Sequence, residues 1–266
     1  MKVAIIGAGN MGGAIARGMA QGTQVAAQDI CVSNRSMAKL EAIKAEYPAI
    51  KVTTSNKEAA SGANMVILAV KPWLVKEVIE EMELTAEQTL VSVAAGITIA
   101  DLAQMIESRK TANGLATQCC IFRLIPNTAI SLLESTTLIA AGSDTPREAI
   151  DRLKSIFDEM GLAMVIQEKQ MAAATAMTSC GIAYALKYIQ AAMQAGIELG
   201  IYPKDGMKMV AQSVKGAAEL ILQKDTHPSV EIDKVCTPGG ITIKGINELE
   251  HEGFSSALIK AIKKSC

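Results

Sequence analysis

The sequence predicts an α/β protein in which a doubly wound, mainly parallel sheet is followed by an all-helical segment. Short apolar runs of strand length alternate with helical patterns from residue 1 to about residue 167, as in a sheet with helices on both faces. From residue 168 to residue 266 the strand signals stop, and Ala, Met, Ile and Leu recur at helical spacing. We therefore predict two domains, residues 1–167 and residues 168–266.

The composition excludes several classes of protein. Half of the 266 residues are hydrophobic but only 3% are aromatic, so the core must be aliphatic. A net charge of −1 gives no basis for binding nucleic acid, and the chain has no uncharged apolar run of the roughly 18 residues that a membrane span needs. The first residues already read as a strand, which leaves no room for a signal peptide. Six cysteines without a C-x-x-C spacing and only two histidines indicate reduced thiols in a cytoplasmic protein without a metal site.

The first predicted strand, residues 2–6, runs into a glycine-rich turn and then a helix. Gly7, Gly9 and Gly12 have the spacing G-x-G-x-x-G. In a dinucleotide-binding turn of this kind, the first glycine allows the tight turn, the second lets a pyrophosphate approach the backbone, and the third lets helix and strand pack closely. The helix N-terminus, at Asn10 and Met11, then offers N–H groups and a positive dipole to the phosphates. This context predicts a Rossmann-type dinucleotide-binding domain; the alternative is a turn that only packs a helix on a sheet.

The second predicted strand, residues 30–33, indicates which dinucleotide is bound. It is followed by Asn34, Arg35 and Ser36, 22 positions or more beyond the last glycine of the turn, where an NAD-binding fold usually has an acidic residue for the ribose 2′-OH. Asp29 lies at the wrong end of this strand. A guanidinium and a hydroxyl suit a 2′-phosphate instead, which favours NADP(H) over NAD(H). The alternative is that Arg35 is an ordinary surface charge.

The remaining elements of the first segment follow in order. Strands are predicted at residues 51–53, 65–70, 89–93, 119–124, 137–141 and 163–166, and helices at residues 37–46, 73–82 and 146–160, with another starting at Thr98. Because ligands bind beyond the carboxyl ends of parallel strands, Lys71 is a candidate for the mouth of the cofactor or substrate site. An exposed loop lysine fits its position equally well. Asn127 and Thr128 present an amide and a hydroxyl at another strand end, after Pro126.

The second segment is predicted to consist of helices at residues 170–200, 203–224, 242–251 and 255–264. Apolar residues on more than one helix face indicate burial against a partner chain. Thr237, Pro238, Gly239, Gly240 and Ile241 form a loop that leads into a helix at Thr242. Backbone N–H groups there could bind a small anion such as a carboxylate, and the Thr242 hydroxyl could bond a polar substrate atom. Ordinary helix capping is the alternative explanation.

These motifs together resemble the pyrroline-5-carboxylate reductase family over the whole length of the chain. The segments that carry the resemblance are residues 7–12, 34–36, 70–72, 92–97, 123–128, 227–228, 237–242 and 252–254. The Pro-Asn-Thr stretch at residues 126–128 and the Pro-Gly-Gly-x-Thr stretch at residues 238–242 are the most specific of them. The resemblance implies hydride transfer from NADPH to the carbon of a cyclic imine, which gives proline.

The resemblance also implies roles for individual residues. The Thr242 hydroxyl would lie near the ring nitrogen of the imine, and the backbone at Gly239 and Gly240 would hold the carboxylate. Lys71 and Asn127 would line the nicotinamide side, and Thr242 and Lys71 would be the catalytic residues. The residues expected to bind the cofactor are Gly7, Gly9, Asn10, Met11, Gly12, Asn34, Arg35, Ser36, Val70, Lys71, Pro72, Ala95, Gly96 and Asn127. Thr237 to Thr242 would bind the substrate. Residues 168–266 would form a helical dimerisation and substrate domain, and dimers would assemble into larger homo-oligomers.

One stretch departs from the family pattern, and two other functions compete with the main one. At residues 178–184 the chain reads Thr-Ser-Cys-Gly-Ile-Ala-Tyr, where the family usually has Ser-Gly-Ser-Gly-Pro-Ala-Tyr; Ala129 also replaces a frequent proline. These changes bear on the shape of the substrate pocket. A β-hydroxyacid dehydrogenase would use a helix lysine, for which Lys187 has the wrong spacing from Gly181. A nucleotide-binding regulatory protein without turnover is the second alternative.

Overall fold

The computed structural model describes residues 1–113 and 119–266, which divide into two compact units, Met1–Ser179 and Cys180–Cys266. Helix α7 (Met171–Glu198) begins in the first unit and continues into the second. The domain boundary predicted between residues 167 and 168 precedes this helix and stays a prediction.

In the described part of the first unit, one sheet of eight strands has the order β3-β2-β1-β4-β5-β6-β7-β8. Every neighbouring pair is parallel except β6 and β7, which are antiparallel. The strands are β1 (Val3–Ile6), β2 (Ile30–Ser33), β3 (Lys51–Thr53), β4 (Met65–Leu68), β5 (Thr89–Ser92), β6 (Cys120–Ile125), β7 (Ser135–Ala141) and β8 (Gly161–Val165). The strand order reverses between β1 and β4, as in dinucleotide-binding sheets. The predicted fold class is confirmed.

Six helices precede α7 in the described residues: α1 (Asn10–Gln21), α2 (Met37–Glu46), α3 (Asn56–Ala60), α4 (Val75–Glu81), α5 (Ile99–Asn113) and α6 (Arg147–Asp158). The predicted start of α5 is confirmed, because the Asp101 N–H donates to Thr98 Oγ1 at 3.0 Å and the Thr98 N–H donates to Asp101 Oδ2 at 2.9 Å. Helix α3 was not predicted, since five residues are too few for a helical period to show.

The core of the first unit consists of two apolar layers on opposite faces of the sheet. Strand β1 is buried on both faces, with Ile5 in one layer and Ala4 and Ile6 in the other, because successive side chains of a strand point to opposite sides. Helices α1 and α6 cover the first layer, and helices α4 and α5 cover the second. The sheet is therefore doubly wound, and β1 is fixed at its centre.

The second unit is helical and has little core of its own. It contains the end of α7, then α8 (Pro203–Lys224), α9 (Pro228–Val235), α10 (Ile241–His251) and α11 (Phe254–Lys264). Helix α9 was not predicted; its N-cap is His227, whose Nδ1 accepts a hydrogen bond from the Ser229 N–H at 3.2 Å. Between residues 180 and 266, Gly206 is the one fully buried residue. No helix of the described residues is long and apolar enough to cross a membrane.

Candidate functional site

The predicted cofactor-binding segments leave the sheet along one edge. In the strand register, Ile6 lies beside Ser33 of β2 and Leu68 of β4, and Leu68 lies beside Ser92 of β5. These are the last residues of four parallel strands, so the segments that follow them start side by side. The edge includes the point between β1 and β4 where the strand order reverses, which is where α/β sheets bind their ligands.

The three glycines of the first turn meet different surroundings. Gly7 has a φ of +108°, and a Cβ there would lie 2.5 Å from the carbonyl oxygen of Ala69. A Cβ at Gly12 would lie 1.9 Å from the carbonyl oxygen of Gly7. A Cβ at Gly9 would have no atom of the described chain within 4 Å. The fold itself therefore requires glycine at positions 7 and 12, whereas at position 9 the space is open to a ligand.

The N-terminus of α1 has backbone donors that find no acceptor among the described residues. The first bond of this helix joins the Gly13 N–H to the Gly9 carbonyl at 2.8 Å, and no side chain caps the helix. The N–H groups of Asn10, Met11 and Gly12 precede that bond. With the positive end of the helix dipole and the open space at Gly9, these groups fit the pyrophosphate of a dinucleotide.

Asn34 connects the glycine turn to the loop after β2. Its Oδ1 accepts a hydrogen bond from the Ala8 N–H at 3.1 Å, and its Nδ2 donates to the Ser36 carbonyl at 3.1 Å. Both ends of its side chain are used by the backbone, so Asn34 holds the shape of the site. We predicted it as a cofactor contact, and that role stays a prediction.

Arg35 and Ser36 are exposed beside this turn. The Arg35 Nη2 lies 2.5 Å from Oε1 of Glu77, in the first turn of α4, and the two side chains are 66% and 54% exposed. The Ser36 side chain makes no capping bond at the start of α2. Asp29 lies at the opposite end of β2, where its carboxylate is 3.5 Å from the N-terminal amine. Sequence reasoning missed Glu77, because it lies 42 positions from its partner.

The ends of β4 and β5 supply two more predicted segments. Lys71 is exposed, and its Nζ makes no hydrogen bond or ion pair with the described chain; Pro72 begins a short 3₁₀ turn. After β5, Ala95 is exposed and Gly96 has a φ of +77°. Lys71 is therefore free to donate to a ligand from the same sheet edge.

Asn127 lies at the end of β6 and is only 4% exposed. Its N–H donates to Ser135 Oγ at 3.1 Å, and its Oδ1 accepts from the Ala129 N–H at 3.0 Å. These bonds fix the side chain, and its Nδ2 has no acceptor among the residues that the structure describes. The amide is thus oriented with both N–H donors of its Nδ2 left for a ligand.

The second unit holds the predicted substrate loop between α9 and α10. The Gly240 N–H donates to the Thr237 carbonyl at 2.9 Å, and Gly239, which follows Pro238, has a φ of +74°. Proline followed by a left-handed glycine is the pattern of a type II turn. A Cβ at Gly240 would lie 2.6 Å from Thr237 Oγ1 and 3.0 Å from the Thr237 carbonyl oxygen, so a larger residue there would crowd the turn.

Helix α10 begins directly after this turn. No side chain caps its N-terminus, and Ile241, its first residue, is 87% exposed. Thr242 is half-buried, and its hydroxyl makes no hydrogen bond with the described part of the chain. Unpartnered backbone N–H groups beside a free hydroxyl can bind a carboxylate and a neighbouring polar atom.

The polar groups of the unusual stretch at residues 178–184 are largely used within the chain. Thr178 Oγ1 donates to the carbonyl of the preceding helical turn at 2.9 Å, and Ser179 Oγ lies 3.4 Å from the Pro126 carbonyl. The Tyr184 hydroxyl lies 2.6 Å from Oγ of Ser265, the residue after α11. The described residues contain no group of three or more His, Cys, Asp or Glu side chains suited to a metal ion.

Two family profiles match different parts of the sequence. Residues 168–266 match the family profile described as pyrroline-5-carboxylate reductase dimerisation, and residues 2–96 match the one described as NADP oxidoreductase, coenzyme F420-dependent. The chain is 37% identical to pyrroline-5-carboxylate reductase 1 of Dictyostelium discoideum, over 99% of this chain and 48% of that protein. It therefore spans about half the length of that relative. It is 35% identical to reductase 2 of the same organism, over 99% of this chain and 90% of the relative.

A comparison of structures also finds similarity to a pyrroline carboxylate reductase. The fold matches a crystal structure of a Plasmodium falciparum pyrroline carboxylate reductase with NADP bound. The TM-score is 0.85 at 25% sequence identity, and the match covers 100% of this chain and 95% of the other. The likeness thus extends through both units.

Proposed function

The chain belongs to the pyrroline-5-carboxylate reductase family, and on this premise we propose that it reduces the cyclic imine 1-pyrroline-5-carboxylate to L-proline with NADPH. The observation that carries the proposal is that one chain presents two kinds of site. The glycine turn and the strand ends of the first unit suit a dinucleotide, and the turn before α10 suits a small carboxylate. A family member that bound nucleotide without turnover would not need the carboxylate site before α10.

Each half of the chain has a distinct part in the proposed reaction. The N–H groups at the start of α1 hold the pyrophosphate, and Lys71 and the Asn127 amide line the nicotinamide side. When bound, the reduced nicotinamide supplies a hydride. The N–H groups at the start of α10 hold the substrate carboxylate, and the Thr242 hydroxyl hydrogen-bonds the ring nitrogen. A protonated imine already accepts hydride readily, so the protein contributes positioning more than strong acid or base catalysis.

The preference for NADPH over NADH is part of the proposal. It is supported by Arg35 and Ser36, exposed at the end of β2 where an NAD-binding protein has an acidic residue. A guanidinium can form two charge-assisted hydrogen bonds with a 2′-phosphate, and NADH carries no such group.

We also propose a homodimer, assembled into a larger homo-oligomer. In the second unit, large apolar side chains are exposed, among them Leu199 at 83% and Tyr202 at 78% between α7 and α8, and Leu222 at 71% in α8. Such a surface is typical of a buried interface between subunits. The cytoplasmic location predicted from the sequence stays a proposal, supported by six cysteines without a C-x-x-C spacing.

Lys187, the candidate helix lysine of a β-hydroxyacid dehydrogenase, lies exposed on α7. Its Nζ donates to Gln190 Oε1 at 3.0 Å, one turn along the same helix. This contact fits a surface lysine, so we keep imine reduction as the function.

The test is NADPH oxidation followed by absorbance at neutral pH, with pyrroline-5-carboxylate as the only added substrate and proline measured as the product. Parallel reactions contain NADH in place of NADPH, or no imine. We expect one proline for each NADPH consumed and slower turnover with NADH. NADPH binding without proline formation would contradict the proposed reaction, and equal turnover with both cofactors would contradict the preference.

A further inference from the structure

We propose that Glu77 reduces the preference of this chain for NADPH, because its carboxylate pairs with the Arg35 guanidinium that would bind the 2′-phosphate. The inference rests on the proposed use of NADPH and adds a residue that the sequence motifs do not contain. Its basis is the ion pair between Arg35 Nη2 and Glu77 Oε1 at 2.5 Å.

The pair lies on the cofactor edge of the sheet. Arg35 follows β2, and Glu77 is in the first turn of α4, which follows β4. The last residues of β2 and β4 flank the last residue of β1 in register, so both partners come from segments next to the glycine turn. The fold thus brings a carboxylate from α4 to the place where the β2 end lacks one.

The charges explain why this carboxylate acts on one cofactor more than on the other. A phosphate monoester carries about −1.5 to −2 charges at pH 7, and it would have to displace Glu77 from Arg35 and then remain beside it. NADH has a neutral 2′-OH, which meets no such repulsion and can donate a hydrogen bond to the carboxylate. Glu77 therefore works against NADPH and not against NADH. The exposed ion pair between Glu77 and Arg35 is weak enough for a phosphate to replace the carboxylate, since exposed pairs contribute little to stability.

Helix α4 offers a matched control. Glu80 is exposed on the same helix, and it makes no ion pair with the residues described. Glu81 is unsuitable, because its Oε2 accepts a hydrogen bond from Asn56 Nδ2 at 2.6 Å. Glu77→Gln and Glu80→Gln change the net charge equally, but only the first frees the guanidinium of Arg35.

The experiment is isothermal titration calorimetry on the full chain and on these two variants. The probes are 2′,5′-ADP, which carries the 2′-phosphate, 5′-AMP, which lacks it, and the cofactors NADPH and NADH. At low ionic strength we expect Glu77→Gln to bind 2′,5′-ADP and NADPH about fivefold tighter, with no gain for 5′-AMP or NADH. The gain should shrink in high salt. Glu80→Gln should change every affinity by less than about twofold.

Three results would overturn the inference: unchanged or weaker NADPH binding in Glu77→Gln, an equal gain in Glu80→Gln, or a wild-type chain that does not bind 2′,5′-ADP. Unchanged or weaker binding would mean that Glu77 only orients Arg35 for the phosphate. Titration does not depend on turnover, so the two proposals can fail separately. A chain that binds 2′,5′-ADP as expected but forms no proline contradicts the proposed function alone. A chain that forms proline but shows no Glu77 effect contradicts this inference alone.

Discussion

Replacing Gly9 with alanine should separate cofactor binding from folding. The backbone φ of Gly9 is −72°, which any residue can adopt, and an added Cβ meets no atom of the described chain within 4 Å. Alanine is a poorer N-cap than glycine by up to ~1 kcal/mol, and the loss of backbone freedom in the unfolded chain offsets ~0.4–1 kcal/mol. We therefore expect Gly9→Ala to shift the melting temperature of the cofactor-free protein by less than about 4 °C.

The same methyl group should be costly when NADPH binds. It occupies the space through which the pyrophosphate reaches the N–H groups at the start of α1. Losing about two hydrogen bonds to a charged group, each worth ~1.5 kcal/mol, corresponds to about a hundredfold weaker NADPH binding. Calorimetry would measure this affinity, and thermal unfolding without cofactor would measure the stability.

Gly12→Ala is the matched comparison. Its Cβ would lie 1.9 Å from the backbone oxygen of Gly7, so the helix or the strand would have to shift. Overpacking of this kind costs ~1–3 kcal/mol, which should lower the melting temperature by several degrees. The reasoning is refuted if Gly9→Ala binds NADPH as the wild type does, or if it melts as early as Gly12→Ala.

Three further substitutions test other parts of the chain. Thr242→Ala should lower kcat for imine reduction at least tenfold and leave NADPH affinity unchanged, by steady-state kinetics and titration; equal loss of both would count against its substrate role. Arg35→Ala should weaken NADPH binding about tenfold more than NADH binding, and an equal effect would remove the argument for NADP(H). Burial acts to raise the pKa of Glu159, but hydrogen bonds from Thr23 and from the Gln24 N–H outweigh it and hold the pKa below its ordinary value. Because a lowered carboxyl pKa stabilises the fold above the unfolded-state pKa, Glu159→Gln should lower the melting temperature by about 2–4 °C near pH 7. That difference should vanish as the pH falls through the pKa of the carboxyl in the folded protein; a constant difference would contradict this account.

The parts of the fold that the sequence predicts are those fixed by neighbouring residues. Strand β1 and the glycine turn are local patterns, and so is the reciprocal capping of Thr98 and Asp101 at the start of α5. Strand ends are less local, because pairing decides them: the sixth strand, predicted at residues 119–124, spans Cys120–Ile125. The short helices α3 and α9 were not predicted from the sequence, because neither is long enough to show a helical period.

In the candidate site, too, the features fixed by neighbouring residues could be predicted. The cofactor turn is contiguous, so its glycines could be assigned from their spacing alone. The sequence also indicated that Arg35 was available to a phosphate, but its partner Glu77 is brought near only by the pairing of β1 with β2 and β4. The bond from the Ala8 N–H to Asn34 Oδ1 and the bond from the Asn127 N–H to Ser135 Oγ were likewise not predictable, because each joins different segments of the chain.

The two halves of the proposed site also differ in what stabilises them. The glycine turn of the first unit is attached to β1, which is buried on both faces by that unit's own core. The turn before α10 belongs to a unit in which Gly206 alone is fully buried between residues 180 and 266. Burial of so little apolar surface cannot offset the entropy lost by ordering those residues. We therefore expect the single chain to bind NADPH. Binding of the substrate carboxylate should require further subunits that cover the exposed helices.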